Sequence, residues 1–106
     1  MDLEKLRQEI DHIDEEMVRL FVKRLSVASD IAASKKESNL PVLDQQREEK
    51  VLNKVVDLAG DEFDMYVKML YSSIFDLSRG YQTQKLKRAT KLTEEIKAAT
   101  REVKLE

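Results

Sequence analysis

The sequence predicts an all-α fold of three helices, and three observations support that prediction. Only two Gly and one Pro occur in 106 residues, which leaves little material for the turns of a β-rich fold. Charged residues make up 38% and hydrophobic ones 42%, a mixture that suits long amphipathic helices. Apolar residues recur at alternating steps of three and four, the period of a helix face rather than a strand. A chain of this length makes one domain and buries a modest share of its surface.

The first element carries the clearest period. Leu3, Leu6, Ile10, Ile13, Met17, Leu20, Val27 and Ile31 fall on one heptad seam. Asp2 precedes them as an N-cap, placing a carboxylate where free backbone N–H groups collect. No Gly or Pro interrupts the run before Pro41, so helix 1 is expected over about residues 3–36. At about 1.5 Å per residue that is roughly 50 Å. Two shorter helices of the same small chain would not cover such a length, so part of the seam is expected to face a second subunit.

Asn39-Leu40-Pro41 ends this helix, because Pro disfavours helix in the residue before it. Asp44 then has the position and chemistry of an N-cap for helix 2. Val51, Leu52, Val55 and Leu58 or Ala59 form its apolar face, and Gly60 is placed to end it. Asp61 is expected to cap helix 3, with Asp64 in its first turn. The predicted stripe of helix 3 is Phe63, Tyr66 or Val67, Leu70, Ile74, Leu77 and Tyr81. Gly80 weakens this helix locally, by about 1 kcal/mol relative to Ala. Beyond Gln82 the apolar positions thin to Leu86, Ala89, Leu92, Ile96 and Val103. Helices 2 and 3 are thus both expected to be shorter than helix 1. Residues 1–86 are expected to form the folded domain, and 87–106 a charged C-terminal extension, helical or linker.

Composition narrows the function. There is no Cys, which excludes disulfides and thiolate metal sites. His12, the lone His, lies off the seam and reads as a surface residue, so no metal site is expected. No Gly-rich phosphate loop is present, and no serine has a His base at hand. The start, Met-Asp-Leu-Glu-Lys, has no apolar signal region, and no apolar run approaches the roughly 20 residues a membrane span needs. A soluble, cytoplasmic chain without membrane contact is expected. Residues 1–82 hold 12 Lys/Arg and 17 Asp/Glu, a balance of −5, while residues 83–106 hold 7 and 4, a balance of +3. The acidic bulk argues against a nucleic-acid partner. The mixed basic tail reads as a solvated helix or linker.

The informative residues are those that violate the stripes. Arg24 continues the seam of helix 1 four residues after Leu20 and three before Val27. A charge there is costly unless it is compensated. Arg7 lies at the edge of the same face, and Lys35 four residues after Ile31. Arg47 and Glu48 lead by four into Val51 and Leu52, and Ser78 and Gln82 follow Ile74 at steps of four. These groups either pair among themselves, for example Arg24 with Glu48 as a salt bridge that fixes dimer register, or line a cationic pocket between helices. Carboxylates on the same stripes are too few to neutralise the cations, so a dianionic ligand would fit the second reading.

The same residues carry a family resemblance. Leu6-Arg7-Gln8-Glu9-Ile10-Asp11-x-Ile13-Asp14, followed by Arg24 and then by Lys35 eleven residues later, resembles the first helix of the all-helical chorismate mutases. Pro41-Val42-x-Asp44-x-x-Arg47-Glu48 resembles the element that opens their second helix, and Ser78 and Gln82 complete the pattern. The resemblance covers about residues 3–86 and departs at Leu40 and Leu43, where some members carry Arg or another polar residue. Members occur free-standing or as the N-terminal domain of a bifunctional prephenate dehydratase or dehydrogenase, so residues 87–106 are either a native extension or the start of a linker.

The resemblance implies an intertwined helical homodimer that converts chorismate to prephenate in phenylalanine and tyrosine biosynthesis, with no cofactor and no metal. It implies that Arg24 and an Arg7 from the other subunit clamp the substrate carboxylates with help from Ser78. Lys35 and Gln82 would donate to the ether oxygen. Glu48 and the backbone near Asp44 would receive the ring hydroxyl, and Arg47 would contact or support the side-chain carboxylate. Two alternatives stand beside this: an isochorismate-pyruvate lyase, which resembles the same fold, and a non-catalytic helical dimer that regulates a shikimate-pathway enzyme. The complete pair Glu48 and Gln82 favours the mutase.

Overall fold

A computed structural model of the chain describes residues 2–105, with side chains through Thr100. Its elements are α1 (Leu3–Glu37), α2 (Gln45–Ala59) and α3 (Asp64–Leu105), with no strand among the described residues. The fold is all-α, as its composition and periodicity predict.

The start of α1 is capped as expected: the Asp2 carboxylate accepts from the Glu4 backbone N–H at 3.0 Å. Its end is closed by the backbone. Leu40 N–H donates to Lys35 O at 2.8 Å and Asn39 N–H to Lys36 O at 3.1 Å. This is the paired closure of a Schellman motif, and it puts Asn39 at φ 58. Asn tolerates this left-handed conformation better than other residues with a side chain. Lys35 and Lys36 lie in the last turn, where cations meet the negative end of the helix dipole.

Asp44 caps α2, accepting from Arg47 N–H at 3.0 Å, and Gly60 ends it at φ 81. The predicted cap of helix 3 is corrected. Gly60 sends the chain into a tight turn closed by Phe63 N–H on Gly60 O at 3.2 Å, so Asp61 lies inside the turn and α3 begins at Asp64.

The expected lengths are corrected as well. α3 runs for 42 residues and exceeds the 35 of α1. Gly80 is one weak position in a long run, and the residues beyond Gln82 are mainly Lys, Arg, Glu, Ala and Leu, all strong helix formers. Thr90, Thr93 and Thr100 fold their hydroxyls back onto the carbonyls of Leu86, Ala89 and Ile96, a slightly destabilising arrangement that α3 accommodates without a break.

α3 packs against both other helices, and α1 and α2 do not pack on each other. The short connection between α2 and α3 makes an antiparallel hairpin. α1 and α3 run parallel: Arg24 meets Ser78, Ala28 meets Gln82 and Lys36 meets Thr90, always 54 residues apart. This register brings polar residues of both helices to the same level. It also corrects the reason given for an uncovered seam. α3 is long enough to flank α1, yet every residue from 2 to 20 is exposed: at an offset of 54 only the residues before about 10 lie beyond the start of α3, while Met17, Val18 and Leu20 border an open apolar groove with Leu70, Tyr71 and Leu77.

Little is buried within one chain. Among the described residues Ala32 and Phe75 are the buried apolar ones, and all eight seam residues of α1 are exposed. The predicted stripe of α3 is partly corrected: Phe63, Leu70 and Leu77 face outward, whereas Val67, Tyr71, Ile74, Phe75, Ser78 and Gln82 face the other helices.

Candidate active site

Where the three helices converge they enclose a cleft of about 280 Å³. Seven of the eight residues singled out from the sequence line it: Arg24, Lys35, Asp44, Arg47, Glu48, Ser78 and Gln82. The eighth, Arg7, does not. It lies among Leu3, Glu4, Leu6, Ile10 and Asp11, all of α1. Seventeen residues separate it from Arg24, about 25 Å along a helix axis.

Arg24 reaches in from α1. Its Nη1 donates to Ser78 Oγ at 3.3 Å, and its guanidinium carbon lies 5.8 Å from the ring centroids of both Tyr71 and Phe75. The two rings meet edge to face, with centroids 6.0 Å apart. Two aromatic faces and a hydroxyl thus offset the desolvation of this cation without supplying a counter-charge. A salt bridge between Arg24 and Glu48 is not formed. Glu48 is taken by Arg79, whose Nη1 donates to both carboxylate oxygens, at 2.6 and 2.8 Å.

Ser78 and Gln82 are the buried polar side chains among the described residues, 6% and 8% exposed. They occupy successive turns of the α3 face that meets α1. The amide of Gln82 donates to Ala28 O at 2.7 Å, which fixes its orientation. An amide nitrogen carries two N–H groups, so one is left for a ligand.

Lys35 stands at the end of α1, its ammonium held by Val42 O at 3.2 Å. Schellman closure turns the chain so that Val42 lies beside the lysine it holds. Asp44 spends one carboxylate oxygen on capping α2, and the guanidinium of Arg47 stays exposed at the mouth. The cleft therefore holds four cations (Arg24, Lys35, Arg47 and Arg79) against two carboxylates (Asp44 and Glu48), a balance of +2. Such a site suits a small dianion, and Arg forks suit its carboxylates.

Sequence reasoning missed three of these participants. Tyr71 and Phe75 look like ordinary packing residues on a helix that is apolar on more than one face. Arg79 carried a partial signal, since Asp76 stands three residues before it and pairs with it. Its partner on α2 is visible only once the helices are packed.

A family model described as "Chorismate mutase type II" matches residues 6–83. The bifunctional chorismate mutase/prephenate dehydratase of Buchnera aphidicola subsp. Acyrthosiphon pisum is 34% identical over 85 residues, covering 77% of this chain and 22% of that protein. The protein of the same description from Aquifex aeolicus is 40% identical over 57 residues, 54% of this chain and 16% of its own length. A chorismate mutase of Methanocaldococcus jannaschii is 32% identical over 59 residues, 56% of this chain and 60% of its own. The chain thus spans only 22% and 16% of the length of these two bifunctional relatives. No solved structure matches it. The family match covers most of the chain, and the chain belongs to the chorismate mutase type II family.

Proposed function

We propose that this member of the chorismate mutase type II family rearranges chorismate to prephenate, in sites that two copies of the chain build together. Family membership supports this choice of substrate. The observation that carries the reading is the convergence of Arg24, Lys35, Glu48, Ser78 and Gln82, from three helices, in one cleft with excess positive charge.

The reaction is a unimolecular pericyclic rearrangement, so it asks for no acid, base, nucleophile or cofactor. It asks for a chair-like conformer that brings the bond-forming carbons together. It also asks for donors aimed at the ether oxygen, where negative charge grows as the C–O bond breaks. Arg24, braced by two rings and Ser78, is a preorganised carboxylate clamp. Lys35 and Gln82 line the cleft from α1 and α3, each with N–H groups beyond the one bonded to Val42 O or Ala28 O, and we assign them to the ether oxygen. Glu48 accepts the ring hydroxyl beside the backbone at Asp44, and Arg47 supports the side-chain carboxylate from the mouth.

One carboxylate clamp remains to be supplied, and Arg7 of the same chain is far away. We assign that role to the partner subunit's Arg7 in an intertwined homodimer. The exposed seam of α1 supports this, as does the chain's radius of gyration of 20.1 Å. A compact domain of this size has a radius of gyration of about 13 Å. No described helix is long and apolar enough to cross a membrane. A cytoplasmic location is part of the proposal, and cell fractionation tests it.

The deciding experiment supplies the purified chain with chorismate and, separately, isochorismate. Prephenate from chorismate is expected. Pyruvate released from isochorismate alone would support the lyase, and inertness toward both would leave a binding module.

A further inference from the structure

We infer that Arg79 is a positioning residue of this cleft, acting on bound substrate through Glu48. The inference rests on the reading of the cleft as a chorismate site and goes further in assigning a residue outside the recognised motif.

Ser78 and Arg79 are consecutive on α3 and serve opposite walls. Ser78 turns to α1 and meets Arg24, while Arg79 turns to α2 and meets Glu48. The Arg79 guanidinium is tied at both ends. Nη1 bonds both oxygens of Glu48, and Nη2 bonds the Asp76 carboxylate on its own helix. The Arg79 and Glu48 side chains are 31% and 25% exposed, so water screens this pair less than a surface pair. Asp76, 73% exposed, lies outside the cleft and orients the fork from behind.

A carboxylate is an awkward group to place beside a dianion, since like charges repel across a few ångströms. Arg79 offsets that repulsion without removing the acceptor. A carboxylate has about four acceptor positions, and the two bonds from Nη1 leave others open to a hydroxyl. Arg79 thereby holds Glu48 in one rotamer, pointed at the cleft, and cancels its charge toward the incoming substrate. A residue that only stapled α2 to α3 would have no effect on substrate affinity once the protein was folded.

A double-mutant cycle separates these roles. Chorismate kinetics and thermal unfolding are measured on the full chain, Arg79→Gln, Glu48→Gln and the double variant. Arg79→Gln is expected to raise KM about tenfold with a smaller fall in kcat. In the Glu48→Gln background the same substitution should change kcat/KM by less than about twofold. Arg79→Lys, which keeps the charge but loses the fork, should fall between wild type and Arg79→Gln. Equal losses in both backgrounds, or a lowered Tm with KM unchanged, would overturn the inference. If Arg79→Gln does not fold, the same cycle run with Arg79→Lys decides between the two roles by the same criterion. A wild-type chain inert toward chorismate would overturn the functional reading and this inference with it. An active wild type with additive losses would overturn this inference alone.

Discussion

Arg24 stands on an apolar seam, and its surroundings show how a charge is kept there. Two aromatic rings and one hydroxyl compensate it, and no carboxylate among the described residues does. Its charge is therefore not cancelled by a partner, which is what an anion-binding residue requires. Gln82 follows the same logic with a neutral group. Its N–H donates at any pH because an amide has no proton to gain first, unlike a carboxylic acid at that position. Wild-type kcat/KM should accordingly change by less than about twofold between about pH 7.5 and pH 5, whereas Gln82→Glu should be slow at the upper end and recover as pH falls. A pH–rate profile on both proteins checks this, and a several-fold rise for wild type over that range would remove Gln82 from its assigned role.

At the scale of elements, α3 is the organising piece. It packs on α1 and α2, and consecutive turns of it deliver Phe75, Ser78 and Gln82 to the cleft and Tyr71 to the Arg24 guanidinium. Its continuation past residue 86 is a single helix rather than a separate unit, and Lys36 on α1 reaches Thr90 on it at 2.6 Å. That contact is exposed and lies beyond the cleft, so we propose that residues 87–106 are dispensable for the chemistry. A chain ending at residue 86 should keep kcat/KM within about threefold, losing helical circular dichroism in proportion to the residues removed. A loss beyond tenfold would make the extension part of the functional unit. The short α2 and the closure at Asn39 were legible in outline, since Pro41, Asp44 and Gly60 mark their places. The start of α3 was not, because Asp61 and Asp64 are both chemically fit to begin a helix and the turn after Gly60 selects between them.

At the scale of the molecule, one chain is a layer of helices with extents of 75 × 35 × 15 Å. With two apolar side chains buried among the described residues, such a layer has little core of its own. The proposed dimer buries the seam of α1. Ile13→Lys should therefore weaken self-association by at least about tenfold, read by sedimentation, and make activity depend on protein concentration. Retention of a tight, active dimer would move the interface elsewhere. Arg7→Ala and Lys35→Ala homodimers should each be nearly inactive. After subunit exchange their mixture should recover about a quarter of wild-type activity, because half the random dimers are mixed and each holds one intact site. No recovery, with exchange verified, would end the cross-subunit assignment of Arg7.

The sequence by itself determined that the chain is helical, where α1 and α2 begin and end, and which polar residues break the apolar stripes. Those features follow from local periodicity, caps and breakers, which act over a few residues. Only the tertiary structure decided which side of α3 faces inward, since several of its faces are apolar and the sequence alone does not rank them. It also decided which charges are neutralised. The parallel register of α1 and α3 sets Arg24 against aromatic rings and leaves Glu48 to Arg79, a pairing of residues 31 positions apart that no local rule contains.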